Sequence, residues 1–273
     1  MNEDKTNINW YPGHMAKAER EMKETLSLID IIIEVRDARL PITSKSSINY
    51  NKPRIVIYTK SDLSDIDRTT SLIDDSYYIV TSLNDFKIKD KVEKMSYEIM
   101  SDKLKTNNDK GLINKKLRLM VMGIPNTGKS TLINRMAGKK SLRVGNTPGV
   151  TKGLNWLNLS DNLSLLDTPG IMPKKFNSKE EYLKLALCSM INEDIIDYYE
   201  VINYLYDYFK DRNDKYFLDY YKLDKYNNFY DDLYLISKNK GYLLKGGEVD
   251  TDRGTMGIYQ DFKKDRLGKV TLD

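Results

Sequence analysis

The sequence predicts an α/β protein, with a doubly wound sheet in residues 1–177 followed by a stretch that looks helical from residue 178. Three observations lead there. Short apolar runs (Ile31 to Val35, Ile55 to Tyr58, Leu117 to Met122, Leu163 to Leu166) are separated by segments with helical patterning. The run from Leu117 opens into Gly123-Ile-Pro-Asn-Thr-Gly-Lys-Ser130, after which Ser130 to Met136 continue at helical spacing. Residues 178–236 carry apolar residues near helical spacing.

Composition supports a folded core and excludes several classes. Of 273 residues, 40% are hydrophobic, and no apolar run approaches the roughly 20 residues of a membrane span. Met1 to Asn9 is polar and has no signal-peptide character. Cys188 is the only cysteine, which excludes an internal disulfide and a cysteine-built zinc site and fits a reducing cytoplasm. Net charge is +4, from 44 basic and 40 acidic residues, so composition alone does not signal nucleic-acid binding. From Lys129 to Lys152, however, there are six basic residues and no acidic one. Those other than Lys129 face either an anionic partner or solvent.

Taken in order, His14, the only histidine, follows a Tyr-Pro-Gly turn that leads into a helix from Met15 to Ile29. Spacing alone gives it no role. The strand Ile31 to Val35 ends in Arg36-Asp37-Ala38-Arg39, and Ile55 to Tyr58 ends in Thr59-Lys60-Ser61-Asp62. A carboxylate at a strand end can accept from both N1–H and the 2-amino group of guanine, so Asp62 selects that base while the Lys60 stem covers the ring. Tyr77 to Val80 is a short strand ending in Thr81-Ser82-Leu83, and residues 86–105 form a charged amphipathic helix. A polar connector, 106–116, leads into the glycine-rich turn.

That turn is a phosphate-binding loop. Gly123 and Gly128 let backbone N–H groups close on a polyphosphate, and the following helix points its positive end at the anion. Asn126, Thr127, Gly128, Lys129, Ser130 and Thr131 form the phosphate cradle. Lys129 reaches the β- and γ-phosphates, and Ser130 completes a Mg²⁺ shell. After the glycine-containing loop 145–151, strands Leu154 to Leu159 and Leu163 to Leu166 end in Asp167-Thr168-Pro169-Gly170. Asp167 lies 37 residues beyond Ser130, where a carboxylate holds a water on Mg²⁺, and Gly170 N–H can meet the γ-phosphate. Thr151 and Gly170 are thus candidates for two switch segments.

The residues spell a GTPase in rotated order, with the base-reading segment ahead of the phosphate loop. The chain resembles the circularly permuted GTPases, most closely the bacterial ribosome biogenesis GTPase A family. The resemblance rests on Trp10-Tyr-Pro-Gly-His-Met-Ala-Lys-Ala18, Val35-Arg-Asp-Ala-Arg-Leu-Pro41, Gly123 to Asn134, Pro148 to Thr151, Asp167 to Gly170, and a tail from Gly246-Gly247 to Leu267-Gly268. A permuted order is tolerable because a sheet needs its strands adjacent, not consecutive.

The resemblance implies a cytoplasmic GTP-hydrolysing switch that assists late assembly of the large (50S) ribosomal subunit, with a smaller all-α domain in residues 178–273 contacting ribosomal RNA. GTP and GDP are its substrate and product, and Mg²⁺ and K⁺ its ions; no DNA or membrane partner is expected, and the chain is expected to act as a monomer. Ser130, Thr151 and Asp167 would hold Mg²⁺ directly or through water, Asn126 would place K⁺, and His14 and Lys129 would serve catalysis. Ile171 stands where many GTPases carry a water-orienting glutamine, so slow intrinsic turnover is expected. Thr59 replaces the usual asparagine, which is expected to weaken the guanine N7 contact and the tether to the phosphate loop. Asp265 stands where a glycine is expected.

Two other classes fit parts of the pattern: a nucleotide-gated ribosome-binding module with little hydrolysis, and a metabolic P-loop kinase. A small-subunit assembly role is disfavoured by the lack of zinc-ligand cysteines. Eleven of the 20 tyrosines fall between Tyr198 and Tyr234. Ile191, Ile195, Tyr199, Ile202, Tyr206 and Phe209 sit near helical spacing and are expected to be core. Residues 246–257 are expected to be a loop and Tyr259 to Leu267 a last helix.

Overall fold

The structure is a computed structural model; it describes residues 13–109, 116–138 and 154–273, without the side chains of His14 and residues 102–109. The chain forms two compact units, residues 1–177 with Asp273 and residues 178–272.

In the first unit the elements are α1 (Gly13–Thr25), β1 (Ile31–Asp37), β2 (Arg54–Thr59), α2 (Ile66–Ser71), β3 (Tyr78–Val80), α3 (Ile88–Asp109), β4 (Leu117–Met122), α4 (Lys129–Ala137), β5 (Asn155–Asn158) and β6 (Leu163–Asp167). The six strands make one sheet in the order β3-β2-β1-β4-β6-β5. All neighbouring pairs are parallel except β5, which runs antiparallel beside β6. The chain winds outward from β1 to β3 and returns to β4 on the other side of β1. The carboxyl ends of β1 and β4 therefore flank a point where the winding reverses, the usual place for a ligand in an open α/β sheet.

Alternation along the buried strands sends side chains to two faces. Ile31, Ile33 and Val35 of β1 pack with Val92 of α3 and with Leu132 and Ile133 of α4. Ile32, Met120, Met122 and Leu166 pack on the opposite face with Ala18 and Met22 of α1. Each such fully buried side chain contributes about 1.5–3 kcal/mol. β1 also buries charge: Glu34 is paired with Arg36 at 2.8 Å and with Arg54, and Arg36 reaches Asp75 at 3.2 Å. Helix α1 stops at Thr25, and a 3-10 turn, Leu26–Leu28, fills the rest of the expected helix to Ile29. α2 was not expected from the sequence; Asp65 caps it by accepting from Arg68 N–H.

The second unit holds α5 (Lys179–Leu187), α6 (Tyr198–Asp211), α7 (Lys215–Tyr221), α8 (Phe229–Asn239) and α9 (Thr251–Lys263). Side chains of Ser178, Asp197, Asp214, Asn228 and Asp250 cap the five helix starts, dividing a stretch that reads as broadly helical. Ile202, Tyr206 and Phe209 are buried as expected, but Ile195, in a separate 3-10 turn, is 37% exposed, and Tyr199, in the first turn of α6, is 49% exposed. The last helix also needs correction. It starts at Thr251 within the expected loop and ends at Lys263 rather than Leu267. Its start is set by Asp250, which accepts from Arg253 N–H at 2.9 Å. Gly254, within the expected loop, lies inside the helix, where its lack of a side chain lets α8 come close: a Cβ there would stand 1.8 Å from Ser237 Oγ. Asp265 takes a left-handed φ of +57°, the conformation that makes glycine the expected residue after a helix end.

Candidate nucleotide-binding site

The parallel strands deliver the site residues in a row along one sheet edge. β3 leads into Thr81, β2 ends at Thr59 before Lys60, β1 ends at Asp37, β4 leads into the phosphate loop and β6 ends at Asp167.

The phosphate loop runs from Gly123 to Gly128, and α4 starts at Lys129. Ser130 and Thr131 occupy its first turn. Lys129 is 7% exposed, and its ammonium donates to Ile124 O at 2.7 Å. Burial lowers its pKa to about 8; Asp167 opposes that shift and Lys60 adds to it. Asp167 is wholly buried, and neither carboxylate oxygen has a hydrogen-bond partner. Burial raises its pKa to about 6, against the attraction of Lys129. The Thr168 amide also pulls it down, without closing a hydrogen bond.

An unsatisfied buried carboxylate beside a phosphate loop is what Mg²⁺ requires: a hard oxygen donor on a rigid strand end. The residues therefore fit the metal. Among the described residues no group of three or more His, Cys, Asp or Glu side chains could hold a metal by itself.

Gly170 follows at close range. A Cβ there would lie 2.9 Å from the Pro125 backbone and 3.0 Å from Lys129 Nζ, so only glycine lets this segment lie on the phosphate loop. Ile171 N–H donates to Gly123 O at 3.3 Å, and the Ile171 side chain is buried with Ala18 and Met22 of α1. It thus belongs to the core, where it cannot orient a water.

On the base side, Thr59 and Lys60 grip two successive carbonyls of the phosphate loop. The Thr59 hydroxyl donates to Thr127 O at 2.5 Å, with Arg36 O at 3.1 Å as the alternative acceptor for its single proton. The tether expected to weaken with threonine is present. Lys60, at a left-handed φ of +57°, donates to Asn126 O at 2.7 Å and pairs with Asp37 at 2.8 Å. Asn126 itself has a φ of +58°. Asp62 is exposed in the 3-10 turn Ser61–Leu63. The loop after β3 is held by Arg135 of α4, which donates to Leu83 O and Asn84 Oδ1, each at 3.3 Å, and lies 4.4 Å over the Phe86 ring. Of the basic residues between 129 and 152, the two described, Lys129 and Arg135, are both turned onto site loops.

Thr59, Lys60, Asn126, Thr127, Gly128, Lys129, Ser130, Thr131, Asp167 and Gly170 thus converge on one edge. His14 falls in the first turn of α1 with its side chain outside the described residues, and Thr151 also lies outside them. Sequence reasoning gave no separate role to Asp37 or Arg135. The available signal for Asp37 was an acid ending an apolar strand two residues before Arg39.

A P-loop at a sheet switch point, a second loop gripping it from the base side and an unpaired strand-end carboxylate define a GTPase-type nucleotide-binding protein. A family model described as 50S ribosome-binding GTPase matches residues 118–227. The chain is 35% identical to ribosome biogenesis GTPase A of Priestia megaterium, over 97% of this chain and 96% of that protein. It is 34% identical to the probable ribosome biogenesis GTPase A of Mycoplasma genitalium, over 97% and 96%. The crystal structure of GNP-bound YlqF from T. maritima is similar at a TM-score of 0.63 and 25% identity, covering 94% of this chain and 97% of that one. The chain belongs to the ribosome biogenesis GTPase A family. Its fold is a mixed α/β P-loop GTPase sheet followed by a helical region.

Proposed function

We propose that this protein is a GTP-hydrolysing switch that binds the maturing large ribosomal subunit in its GTP state and leaves after hydrolysis. The observation that carries the reading is Asp167, buried without a partner, next to Lys129 in a family whose matching model is a 50S ribosome-binding GTPase. The motif order, with Thr59 to Asp62 ahead of Gly123 to Ser130, supports a circularly permuted, doubly wound domain in residues 1–177.

Lys129 neutralises the β- and γ-phosphates, and Asp62 accepts from the guanine edge. Ser130, Thr151 and Asp167 hold Mg²⁺, which when bound supplies positive charge against the phosphate oxygens. Asn126 places K⁺ for the same electrostatic purpose. Gly170 N–H engages the γ-phosphate and is released when it departs. His14 orients or activates the attacking water, since Ile171 is committed to the core. Residues 178–273 contact ribosomal RNA, and the protein works as a cytoplasmic monomer; among the described residues no helix is long and apolar enough to cross a membrane.

The test is GTP hydrolysis in KCl and in NaCl, each with and without large subunits. The expected result is slow basal turnover, raised by the large subunit in K⁺ only and lost in His14→Ala. The second reading, a nucleotide-gated binding module with little hydrolysis, is favoured by the burial of Ile171. It prevails if large subunits bind in the GTP state and turnover stays at its basal rate.

A further inference from the structure

Lys60 bridges two elements that meet a nucleotide from opposite sides. Its backbone lies two residues before Asp62, and its ammonium holds Asn126 O of the phosphate loop at 2.7 Å. A lysine stem of four methylenes does not stay in one rotamer unaided, and the left-handed backbone at Lys60 adds strain. What holds the ammonium is Asp37. That carboxylate is wholly buried at the end of β1, and its Oδ2 stands 2.8 Å from Lys60 Nζ. The carboxylate is itself immobilised by Arg39, through Nε and the backbone N–H at 3.0 Å and through Nη2 at 2.9 Å.

We infer that Asp37 is a positioning residue for guanine recognition: anchored by Arg39, it fixes Lys60, and through Lys60 it holds the base-reading turn in register with the phosphate loop. This rests on the reading of Asp62 as the guanine acceptor. Asp37 does not touch the nucleotide in this scheme. Its effect is confined to ligands that carry a base, because a bare polyphosphate uses the phosphate loop without the Lys60–Asp62 turn.

The experiment measures affinities for GDP, ADP and tripolyphosphate by displacement of a fluorescent GDP at fixed Mg²⁺, with the full-length protein and its Asp37→Asn, Lys60→Met and double variants. Loss of one charge-assisted hydrogen bond predicts GDP affinity about 10- to 100-fold weaker in each single variant. Tripolyphosphate affinity should change by less than about threefold, within the scatter of independent sites. The double variant should be no more than about twofold weaker for GDP than the worse single variant, since Asp37 acts through Lys60.

The proposal is overturned if tripolyphosphate affinity falls in parallel with that of GDP, if the two losses multiply, or if Asp37→Asn leaves GDP unaffected. Should Asp37→Asn fail to fold, Arg39→Lys decides, since it loosens the anchor of Asp37 while keeping its counter-charge: weaker GDP binding with tripolyphosphate unchanged supports the inference, and unchanged GDP binding overturns it. The wild-type arm isolates the underlying reading. If the unmodified protein binds ADP as tightly as GDP, base recognition at Asp62 has failed, and the role given to Asp37 falls with it.

Discussion

Asp37 and Asp167 end two parallel strands of the same sheet, separated only by β4, and both are wholly buried. Their surroundings are opposite. Asp37 accepts from Arg39 and Lys60, and these cations hold its pKa far below the usual carboxylate range against the upward push of burial. Asp167 has no hydrogen bond, and burial lifts it to about 6. Burying a carboxylate costs several kcal/mol unless it is paired. The fold supplies the partners at β1 and withholds them at β6. One carboxylate is a finished structural joint, and the other keeps both oxygens without a hydrogen bond.

The comparison can be tested at several strengths. The largest effect is expected from Asp37→Asn on folding, because it leaves Lys60 and Arg39 short of their buried counter-charge: urea unfolding should show a loss of about 3–5 kcal/mol. Asp167→Asn should do the reverse, raising the stability of the nucleotide-free protein by about 1–3 kcal/mol at pH 8 while abolishing the Mg²⁺ dependence of nucleotide affinity. A destabilised Asp167→Asn would mean that the carboxylate is internally satisfied after all.

The pH dependence separates the two residues further. Asp167, with a folded pKa of about 6 above the ordinary 3.8, binds more protons folded than unfolded between those values. It therefore lowers stability as pH rises from 3.8 to 6, by up to about 3 kcal/mol. Asp37, with a lowered pKa, contributes stability that is complete above 3.8 and is lost as pH falls through its folded value. Mg²⁺ competes with the proton on Asp167, so Mg²⁺-dependent affinity should rise about tenfold per pH unit up to 6 and then level off, and Asp167→Asn should flatten the profile. The smallest effect belongs to Thr59→Val, which keeps the shape but removes the hydroxyl held by Thr127 O. Loss of one neutral hydrogen bond, about 1 kcal/mol, predicts GDP binding about fivefold weaker by calorimetry.

Much of this arrangement was legible in the residues because the signals are local. β4 was read over Leu117 to Met122, where it lies, because a buried strand and the loop after it carry their pattern in consecutive residues. Tyr199 and Gly254 show where local reading fails. Tyr199 continues the apolar spacing from Ile195, but the Asp197 cap starts a new helix there, and in its first turn the tyrosine is left 49% exposed. Gly254 reads as a loop until α8 lies so close that any Cβ would meet Ser237. Ile171 stands out in the sequence as an unusual residue, but its burial against α1 depends on elements more than 140 residues apart.

The sequence alone determined the strands, the phosphate-loop chemistry and the rotated order of the motifs, since periodicity and residue type act over a few neighbours. Only the tertiary structure decided which charges are spent and which are open. In the sequence Asp167 reads as a Mg²⁺ carboxylate and Asp37 only as an acid ending a strand, and neither reading says which of them has partners. Whether such a carboxylate accepts hydrogen bonds, as Asp37 does from Lys60 and Arg39, or is attracted by Lys129 without one, as Asp167 is, depends on which loops the sheet order brings beside it. Electrostatic energy is set by distance in space rather than along the chain.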